Sequence, residues 1–242
     1  MANTTKTAIV TGASRGIGAG LVEAFLKRGY NVVANSRHIT KGNPFAGAAN
    51  VALVDGDIGD PGTAARIVDT AVSRFGRIDV LINNAGVFIP KPFTDYTTED
   101  FRALSSTNLD GFIYTTQLAV KQMLSQKSGG SVVSITTSVV DHPLADFTAS
   151  VPMITKGGIN AISRSLAMEY APQGIRVNVV APGVVDTPLH KNSPKEFLRT
   201  LSPLRQVASA KDIAEAVLYL TEASQITGEV LHVDGGAHLG RW

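Results

Sequence analysis

Cysteine is absent from this chain of 242 residues. Without thiols the protein forms no disulfide, no thiolate nucleophile and no zinc–thiolate site, and we predict no metal site. An excess of one charge is also lacking, because 22 Lys and Arg stand against 20 Asp and Glu, and the basic residues form no long run. We therefore expect neither nucleic acid nor an anionic membrane as a partner.

Long hydrophobic runs are lacking as well. No window approaches the roughly 18 uninterrupted apolar residues of a transmembrane helix, and the start "MANTTKTAIVTG" has no secretion-signal pattern. We therefore predict a cytoplasmic location. The composition, 44% apolar and 17% charged, is typical of a compact globular protein. The length suits one domain spanning residues 1–242.

Short apolar runs rich in valine and isoleucine alternate with longer segments whose apolar residues recur every three or four positions. The short runs predict strands at 7–11, 31–35, 51–55, 79–83, 131–136, 176–182 and 229–234. The longer segments predict helices at 18–29, 61–76, 97–125, 152–171 and 210–222. This alternation predicts right-handed crossovers, and hence an α/β fold with a doubly wound parallel sheet between two layers of helices.

The segment 184–209 shows no clear periodicity and contains three prolines. We predict that it is a mobile lid, and a surface insertion without function is the alternative.

A glycine-rich stretch, "TGASRGIGAG", follows the first predicted strand and opens the first helix. Gly12, Gly16 and Gly18 would let the backbone approach a pyrophosphate, whose charge the helix N-terminus stabilises. The spacing differs from the commoner G-x-G-x-x-G, so a simple tight turn is the alternative.

The second predicted strand ends in "ANSRH", where an NAD-binding site would have an acidic residue for the ribose 2′-hydroxyl. Here Arg37, together with Ser36 and Arg15, could instead bind a 2′-phosphate. This pattern favours NADP(H) over NAD(H), unless Arg37 is only a solvated charge. Asp57 and Ile58, after the third strand, are candidate neighbours of the adenine.

Motifs along the whole chain are similar to those of one family. "TGASRGIG", "NNAG", Asn108, Ser138, Lys156, "PGVVDT" and "VDGG" occur in the order found in short-chain dehydrogenases/reductases. The resemblance implies a Rossmann fold with seven parallel strands and a nicotinamide dinucleotide. It also implies hydride transfer to or from a carbonyl or alcohol carbon of a small molecule, and a homotetramer, with a dimer as the alternative.

By this resemblance, the backbone of Val185 and the hydroxyl of Thr187 would hold the nicotinamide carboxamide, and Asp234 would be structural. The full set of expected cofactor-binding residues is Gly12, Ser14, Arg15, Gly16, Ile17, Gly18, Ser36, Arg37, Asp57, Ile58, Asn84, Ala85, Gly86, Lys156, Pro182, Gly183, Val185 and Thr187.

The family's catalytic residues are Asn, Ser, Tyr and Lys. Asn108, Ser138 and Lys156 match, but Pro152 stands four residues before the lysine, where the family has its proton-donating tyrosine. Tyr114 and Tyr170 do not fit that four-residue step. We predict that Pro152 lies in the first turn of its helix, capped by Ser150 or Val151, so that the fold is kept.

Three interpretations remain open. In the first, the protein is a reductase whose proton comes from water relayed by Asn108 and Lys156, from Lys156 itself, or from the loop after Ser138. That loop offers Asp141, His142, Asp146, Thr148 and Ser150. His142 is the best of these, since an unperturbed imidazole has a pKa of about 6.5, although a solvated loop histidine is the alternative.

In the second interpretation, the protein binds NADP(H) without catalysing carbonyl reduction and works as a sensor or a structural subunit. In the third, it reduces a substrate that needs less general acid, such as an activated double bond or an imine. The candidate lining of the substrate pocket is mostly apolar and consists of Val87, Phe88, Leu144, Phe147, Leu189, His190 and Phe197.

Overall fold

The computed structural model describes residues 5–42, 44–144 and 147–240. Within these ranges the strands are β1 (Thr7–Thr11), β2 (Asn31–Ser36), β3 (Val51–Asp55), β4 (Val80–Asn83), β5 (Gly130–Ile135), β6 (Ile175–Pro182) and β7 (Val230–Val233). The helices are α1 (Gly16–Lys27), α2 (Ile39–Gly42), α3 (Pro61–Phe75), α4 (Thr98–Leu104), α5 (Gly111–Gln126), α6 (Ser150–Tyr170), α7 (Lys195–Thr200) and α8 (Ala210–Glu222).

The strands form one sheet in the order β3-β2-β1-β4-β5-β6-β7, and all neighbouring strands are parallel. The chain reverses its direction of travel across the sheet between β1 and β4. In such folds the ligand crevice opens at this point, beyond the carboxyl ends of the strands. The predicted doubly wound, seven-stranded Rossmann sheet is confirmed, and each predicted strand end lies within one residue of the observed one.

Both faces of the sheet are covered, which explains the almost continuous apolar strands. Ala8 and Val10 of β1 pack into a core shared with α1 and α8, while Ile9 packs into a second core shared with α3 and α5. The alternation of side chains along a strand produces this division. The two layers of helices leave only the ends of the strands open to ligands.

The predicted helix over 97–125 is interrupted. Between α4 and α5 the segment Ser105–Asp110 is π-helical, with a wider turn. Gly59 explains part of this geometry, because a Cβ there would lie 2.2 Å from the Ser106 hydroxyl, so the loop after β3 presses directly on the wide turn. Apolar periodicity cannot reveal one extra residue in a turn, and such turns are frequent at functional sites.

The start of α6 differs from the expectation in its cap. Pro152 lies in the first turn as predicted, where a missing N–H costs little because the first four N–H groups have no partner within the helix. However, the capping residue is Ala149, without a side-chain hydrogen bond, and not Ser150 or Val151. Ala149 is buried and Ser150 is exposed, so packing of the entering chain fixes this end.

The segment 184–209 contains a short 3-10 turn, Pro188–His190, and the helix α7. Its two ends are tied together, since Asp186 donates its N–H to the Ala208 carbonyl at 2.8 Å. The lid function stays a prediction. Among the described helices, none is long and apolar enough to cross a lipid bilayer.

Candidate active site

The glycine turn after β1 is packed too closely for side chains. Gly12 has a φ of +66°, and a Cβ on it would lie 2.7 Å from the Cα of Ala85. A Cβ on Gly18 would lie 2.2 Å from the Gly12 carbonyl oxygen. Both contacts are shorter than real Cβ contacts, so at Gly12 and Gly18 only backbone fits.

Helix α1 begins at this turn without a side-chain cap. Arg15 is the N-cap residue in an extended conformation, and the first helical turn contains no acidic residue. The N–H groups of this turn and the positive end of the helix dipole are therefore available to an anion. Ser14 and Arg15 are exposed and Ile17 is half-buried, so the predicted pyrophosphate-binding residues lie together around one helix end.

Asn84 and Ala85 hold the glycine turn against the end of β4. The Thr11 hydroxyl accepts the N–H groups of Asn84 and Ala85 at 3.1 and 3.0 Å. The Asn84 carboxamide donates to the carbonyls of Thr11 and Gly12 at 2.9 and 3.2 Å. The Asn84 side chain is thus engaged with the protein, and what it presents toward the crevice is backbone.

At the end of β2, Ser36 is half-buried and Arg37 is exposed. Asn35 is buried and donates to the carbonyls of Val54 and Gly56, which ties the ends of β2 and β3 together. Arg37 is therefore a charged residue exposed to solvent directly after the end of β2.

The two residues expected near adenine behave differently. Asp57 is exposed, and its carboxylate accepts the Gly59 N–H at 2.9 Å. Ile58 is buried, and a Cβ on Gly111 would lie 2.8 Å from its side chain. Its side chain therefore packs against the start of α5, and only its backbone is left for a ligand.

The ammonium group of Lys156 is the central feature of the chemical end. Lys156 is 8% exposed, and its Nζ donates to the Ile135 carbonyl at the end of β5 at 2.9 Å. A Cβ on Gly86 would lie 3.0 Å from Nζ, so Gly86 leaves the room that the lysine occupies. Burial lowers the pKa of Lys156 from 10.5 to about 8, because desolvation disfavours the charged form.

Asn108, in the π-helical turn, is a buried hub of hydrogen bonds. Its Oδ1 accepts the Val87 N–H at 2.9 Å, and its Nδ2 donates to the Val87 carbonyl at 3.0 Å. Nδ2 also donates to the Thr155 hydroxyl at 3.0 Å. Asn108 therefore joins the chain after β4 to α6.

Thr155 completes this connection and was missed in the sequence. Its hydroxyl is fully buried and donates to the Pro152 carbonyl at 3.0 Å. No motif marks it, and its position next to Lys156 is the only signal that could have drawn attention to it. Thr155 therefore stabilises the first turn of α6 by bonding the Pro152 carbonyl, although Pro152 has no N–H of its own.

A small cavity lies beside the lysine, and its size is close to the minimum that one water molecule needs. Its polar lining residues include Lys156, Asn108 and Asn83 at the end of β4. Its lining consists of Thr11, Ile58, Asn83, Ala85, Thr107, Asn108, Gly111, Phe112, Ile135, Lys156 and Ile159. The structure thus places a water-sized space between the buried ammonium group and the wide turn.

Ser138 is buried just after β5, at the start of a 3-10 turn, and its carbonyl accepts the N–H groups of Asp141 and His142 at 3.1 and 3.3 Å. The Asp141 carboxylate contacts the Nε2 atom of His232 on β7 at 2.8 Å. His142 is half-buried, and its ring lies 3.8 Å from where a Cβ on Gly240 would be.

The other predicted proton donors of this loop are less enclosed. Thr148 and Ser150 are exposed. Asp146 lies outside the described residues. His232 was missed, because nothing in the sequence links a histidine near the C-terminus to the loop after Ser138.

The "PGVVDT" segment closes the crevice above the glycine turn. Pro182 ends β6, and a Cβ on Gly183 would lie 2.8 Å from that of Asp234. Val185 is buried and pairs with Ala208. The Thr187 side chain lies 3.4 Å from where a Cβ on Gly16 would be. The predicted carboxamide-holding residues are thus brought next to the predicted pyrophosphate site.

Aromatic rings form part of the expected substrate wall. Phe88 and Phe147 stack with centroids 5.9 Å apart. By contrast, Leu189 is 70% exposed and Phe197 is 57% exposed, so neither is packed into a closed pocket.

Comparison with known proteins supports one family. A family model described as enoyl-(acyl carrier protein) reductase matches residues 12–238. A protein of Streptomyces violaceoruber described as a ketoacyl reductase of the granaticin polyketide synthase is 40% identical over 243 aligned positions, which cover 96% of each chain. The NADP-dependent (R)-specific alcohol dehydrogenase of Lentilactobacillus kefiri is 33% identical over 243 aligned positions, again covering 96% of each chain.

Solved structures agree. ElxO with NADP bound superposes with a TM-score of 0.90 at 28% identity, over 96% of this chain and 98% of that one. An ElxO variant with phenylalanine in place of a tyrosine, solved with NADPH, has a TM-score of 0.88 at 29% identity over the same shares. The 3-ketoacyl-(acyl-carrier-protein) reductase of Brucella melitensis complexed with NADH has a TM-score of 0.90 at 29% identity, over 96% and 98%. The chain therefore belongs to the short-chain dehydrogenase/reductase family.

Proposed function

We propose that the protein is an NADP(H)-dependent oxidoreductase that acts on a carbonyl, an alcohol or a related small molecule, with an altered proton-donor site. The observation that carries this proposal is the buried Lys156 ammonium group. It lies beside Gly86 and Asn108 and is bonded to the end of β5, and only β4 separates that strand from β1, which leads into the glycine turn. A buried lysine with a lowered pKa in a ligand crevice is characteristic of a functional site.

The chemistry of the crevice fits a dinucleotide phosphate. The uncapped N-terminus of α1 suits the pyrophosphate, and Arg37 with Arg15 suits a 2′-phosphate, since no acidic residue occurs in the "ANSRH" stretch at the end of β2. The NADP dependence of the Lentilactobacillus enzyme and the NADP and NADPH bound to ElxO support this choice. The NADH bound to the Brucella reductase keeps NAD(H) as the less favoured cofactor.

The bound dinucleotide would supply or accept the hydride. Lys156 would hold the nicotinamide ribose and Ser138 would orient the substrate oxygen. Val185 and Thr187 would fix the carboxamide. Pro152 would occupy the position of the family's tyrosine, and the general acid would then be lost from that position. Positioned acid–base catalysis contributes about a hundred- to ten-thousandfold in rate.

The buried lysine offers a replacement route for the proton. With a pKa of about 8, Lys156 exchanges its proton near neutral pH. The adjacent water-sized cavity and Asn108 connect it to the wide turn of the helix. We propose that water relayed by Asn108 and Lys156 supplies the proton, with His142 as the side-chain alternative.

Three further expectations accompany this proposal. One domain spans residues 1–242, and the location is cytoplasmic. The assembly is a homotetramer, with a dimer as the alternative. Exposed apolar side chains on α4, α5 and α6 support such an assembly, since Phe101, Ile113 and Ile154 are 46%, 37% and 56% exposed.

The substitution Pro152→Tyr tests the proton-donor proposal. It adds a hydroxyl at the first turn of α6, near Ser138 and Lys156, and we expect kcat on simple ketones to rise about a hundredfold or more. Pro152→Phe is the matched control, because it adds the ring without the hydroxyl and should not raise kcat. Wild type and both variants should bind NADPH in the micromolar range, as measured by fluorescence titration. Equal rates for the two variants would contradict the proposal.

Pro152 also favours a second candidate function, an NADP(H)-binding protein without catalysis. In ElxO, replacing a tyrosine by phenylalanine is compatible with bound NADPH, so loss of a tyrosine and retention of a cofactor can coexist. A screen of carbonyls, activated double bonds and imines separates the candidates. NADPH binding without turnover of any of these substrates would favour the binder. Turnover of enones or imines alone would favour a substrate that needs little general acid.

A further inference from the structure

Two stacked histidines join the loop after Ser138 to the C-terminal part of the chain. The rings of His232 and His238 lie 3.9 Å apart, centroid to centroid, with an interplanar angle of 16°. His232 lies on β7, and His238 lies in the 3-10 turn that follows that strand. Their side chains are 18% and 28% exposed, so the pair is largely enclosed.

Each ring holds a different carboxylate. His232 uses Nε2 to contact Asp141 at 2.8 Å, whereas His238 uses Nδ1 to contact Asp234 at 3.0 Å. The two carboxylates differ in their other support. Asp234 is buried and also accepts the N–H groups of Gly236 and His238 at 2.9 and 2.8 Å. Asp234 is therefore held without the His238 ring, because backbone N–H groups already satisfy both of its oxygens.

Asp141 has a different position in the structure. It ends the turn that begins at Ser138, and its N–H binds the Ser138 carbonyl at 3.1 Å. The contact with His232 spans 91 residues of sequence and ties this turn to β7. Beyond the turn, the structure describes residues 143, 144 and 147, and the one backbone hydrogen bond among these is local, from the Phe147 N–H to the Leu144 carbonyl.

We propose that His232 is a positioning residue: by holding the Asp141 carboxylate to β7, it fixes the turn that carries Ser138 and so aligns the Ser138 hydroxyl for the reaction. This inference rests on the proposed role of Ser138. A shift of about 1 Å in a positioned group can cost about a hundredfold in rate, so a contact that sets the turn affects catalysis without touching substrate.

The stacked pair provides its own control. His232→Phe and His238→Phe remove the same atoms and keep a flat ring in the stack, but only the first releases Asp141. His232→Gln places a carboxamide nitrogen near the former Nε2 and should restore the contact. A merely structural loss would affect both phenylalanine variants alike, whereas a positioning role predicts a difference between them and rescue by glutamine.

The first measurement is amide hydrogen exchange over residues 137–144 in the full chain, which requires no activity. In His232→Phe we expect the exchange of this segment to accelerate about tenfold. The Asp141 and His142 amides are protected by their hydrogen bonds to the Ser138 carbonyl, and these bonds open more often once the turn is released from β7. In His238→Phe and His232→Gln it should stay within about twofold of wild type. Equal acceleration in both phenylalanine variants, or none in His232→Phe, would overturn the inference.

The second measurement separates kcat from KM with NADPH and a ketone substrate. In His232→Phe we expect kcat to fall about ten- to a hundredfold with an unchanged KM for NADPH, and in His232→Gln to recover most of it. A fall confined to KM, or an equal fall in His238→Phe, would overturn the role of His232. If wild type turns over no substrate, the proposed function fails, and the exchange experiment still decides whether His232 holds the turn.

Discussion

The two ends of the crevice are built by different means. At the cofactor end, the glycine turn and the start of α1 offer backbone N–H groups, and the side chain of Asn84 is bonded to the protein. At the chemical end, side chains form the site, since Lys156 and Asn108 are buried and bonded to elements far apart in sequence. A backbone site depends on a few glycines, whereas a side-chain site can lose one group and keep its frame.

This contrast explains how the chain tolerates Pro152. The proline lies where the helix needs no N–H, and the carbonyl of the same residue is engaged by Thr155. The frame around the lysine is therefore intact without a hydroxyl at residue 152. A comparable change in the glycine turn would displace backbone. The following predictions test this difference, from the largest expected effect to the smallest.

Gly18→Ala should weaken cofactor binding strongly. The added Cβ would lie 2.2 Å from the Gly12 carbonyl oxygen and 2.6 Å from the Asn84 carboxamide, so the turn must open. We expect NADPH affinity to fall at least about a hundredfold and stability to fall by about 1–3 kcal/mol. Gly42→Ala is the control, because nothing lies within 4 Å of its Cβ. Titration and thermal melting measure both effects. A Gly18→Ala variant with wild-type affinity would refute the backbone description of this end.

The fold was largely predictable and the chemical end only in part. Strand ends are marked by apolar runs bounded by polar residues, so the seven strands follow from the sequence, whereas the reversal next to β1 is known only from the folded sheet. The wide turn at Ser105–Asp110 and the contact of Asp141 with His232 are results of tertiary packing. Neither leaves a periodic or local signal, because each depends on which segments the folded sheet brings together.

Lys156→Met should reveal the cost of the buried ammonium group as a function of pH. Below pH 8 the lysine is charged in the folded and the unfolded chain, and the burial cost is present in full. Between about 8 and 10.5 the unfolded chain binds a proton that the folded chain has released, so stability rises with pH. The free energy of unfolding of wild type, relative to that of the variant, should therefore rise by roughly 3 kcal/mol across this pH window.

Urea unfolding of the cofactor-free protein at a series of pH values measures this difference. Lys121→Met serves as the matched control, since Lys121 is exposed on α5 and its removal should leave the pH dependence as in wild type. A flat difference between wild type and Lys156→Met would show that the ammonium group is not buried as the structure has it, and would remove the contrast between the two ends.

Arg37→Ala should have the smallest effect, because the guanidinium is exposed and its interactions are screened by water and salt. We expect NADPH to bind about tenfold more weakly, about 1.4 kcal/mol, while NADH affinity stays unchanged. The loss should shrink as salt is raised, since a charge–phosphate contact is involved. Arg102→Ala, which removes an exposed arginine of α4, should leave the affinities for NADPH and NADH unchanged. An equal loss for NADPH and NADH would mean that Arg37 does not distinguish the 2′-phosphate, and that cofactor choice depends on another group at the end of β2.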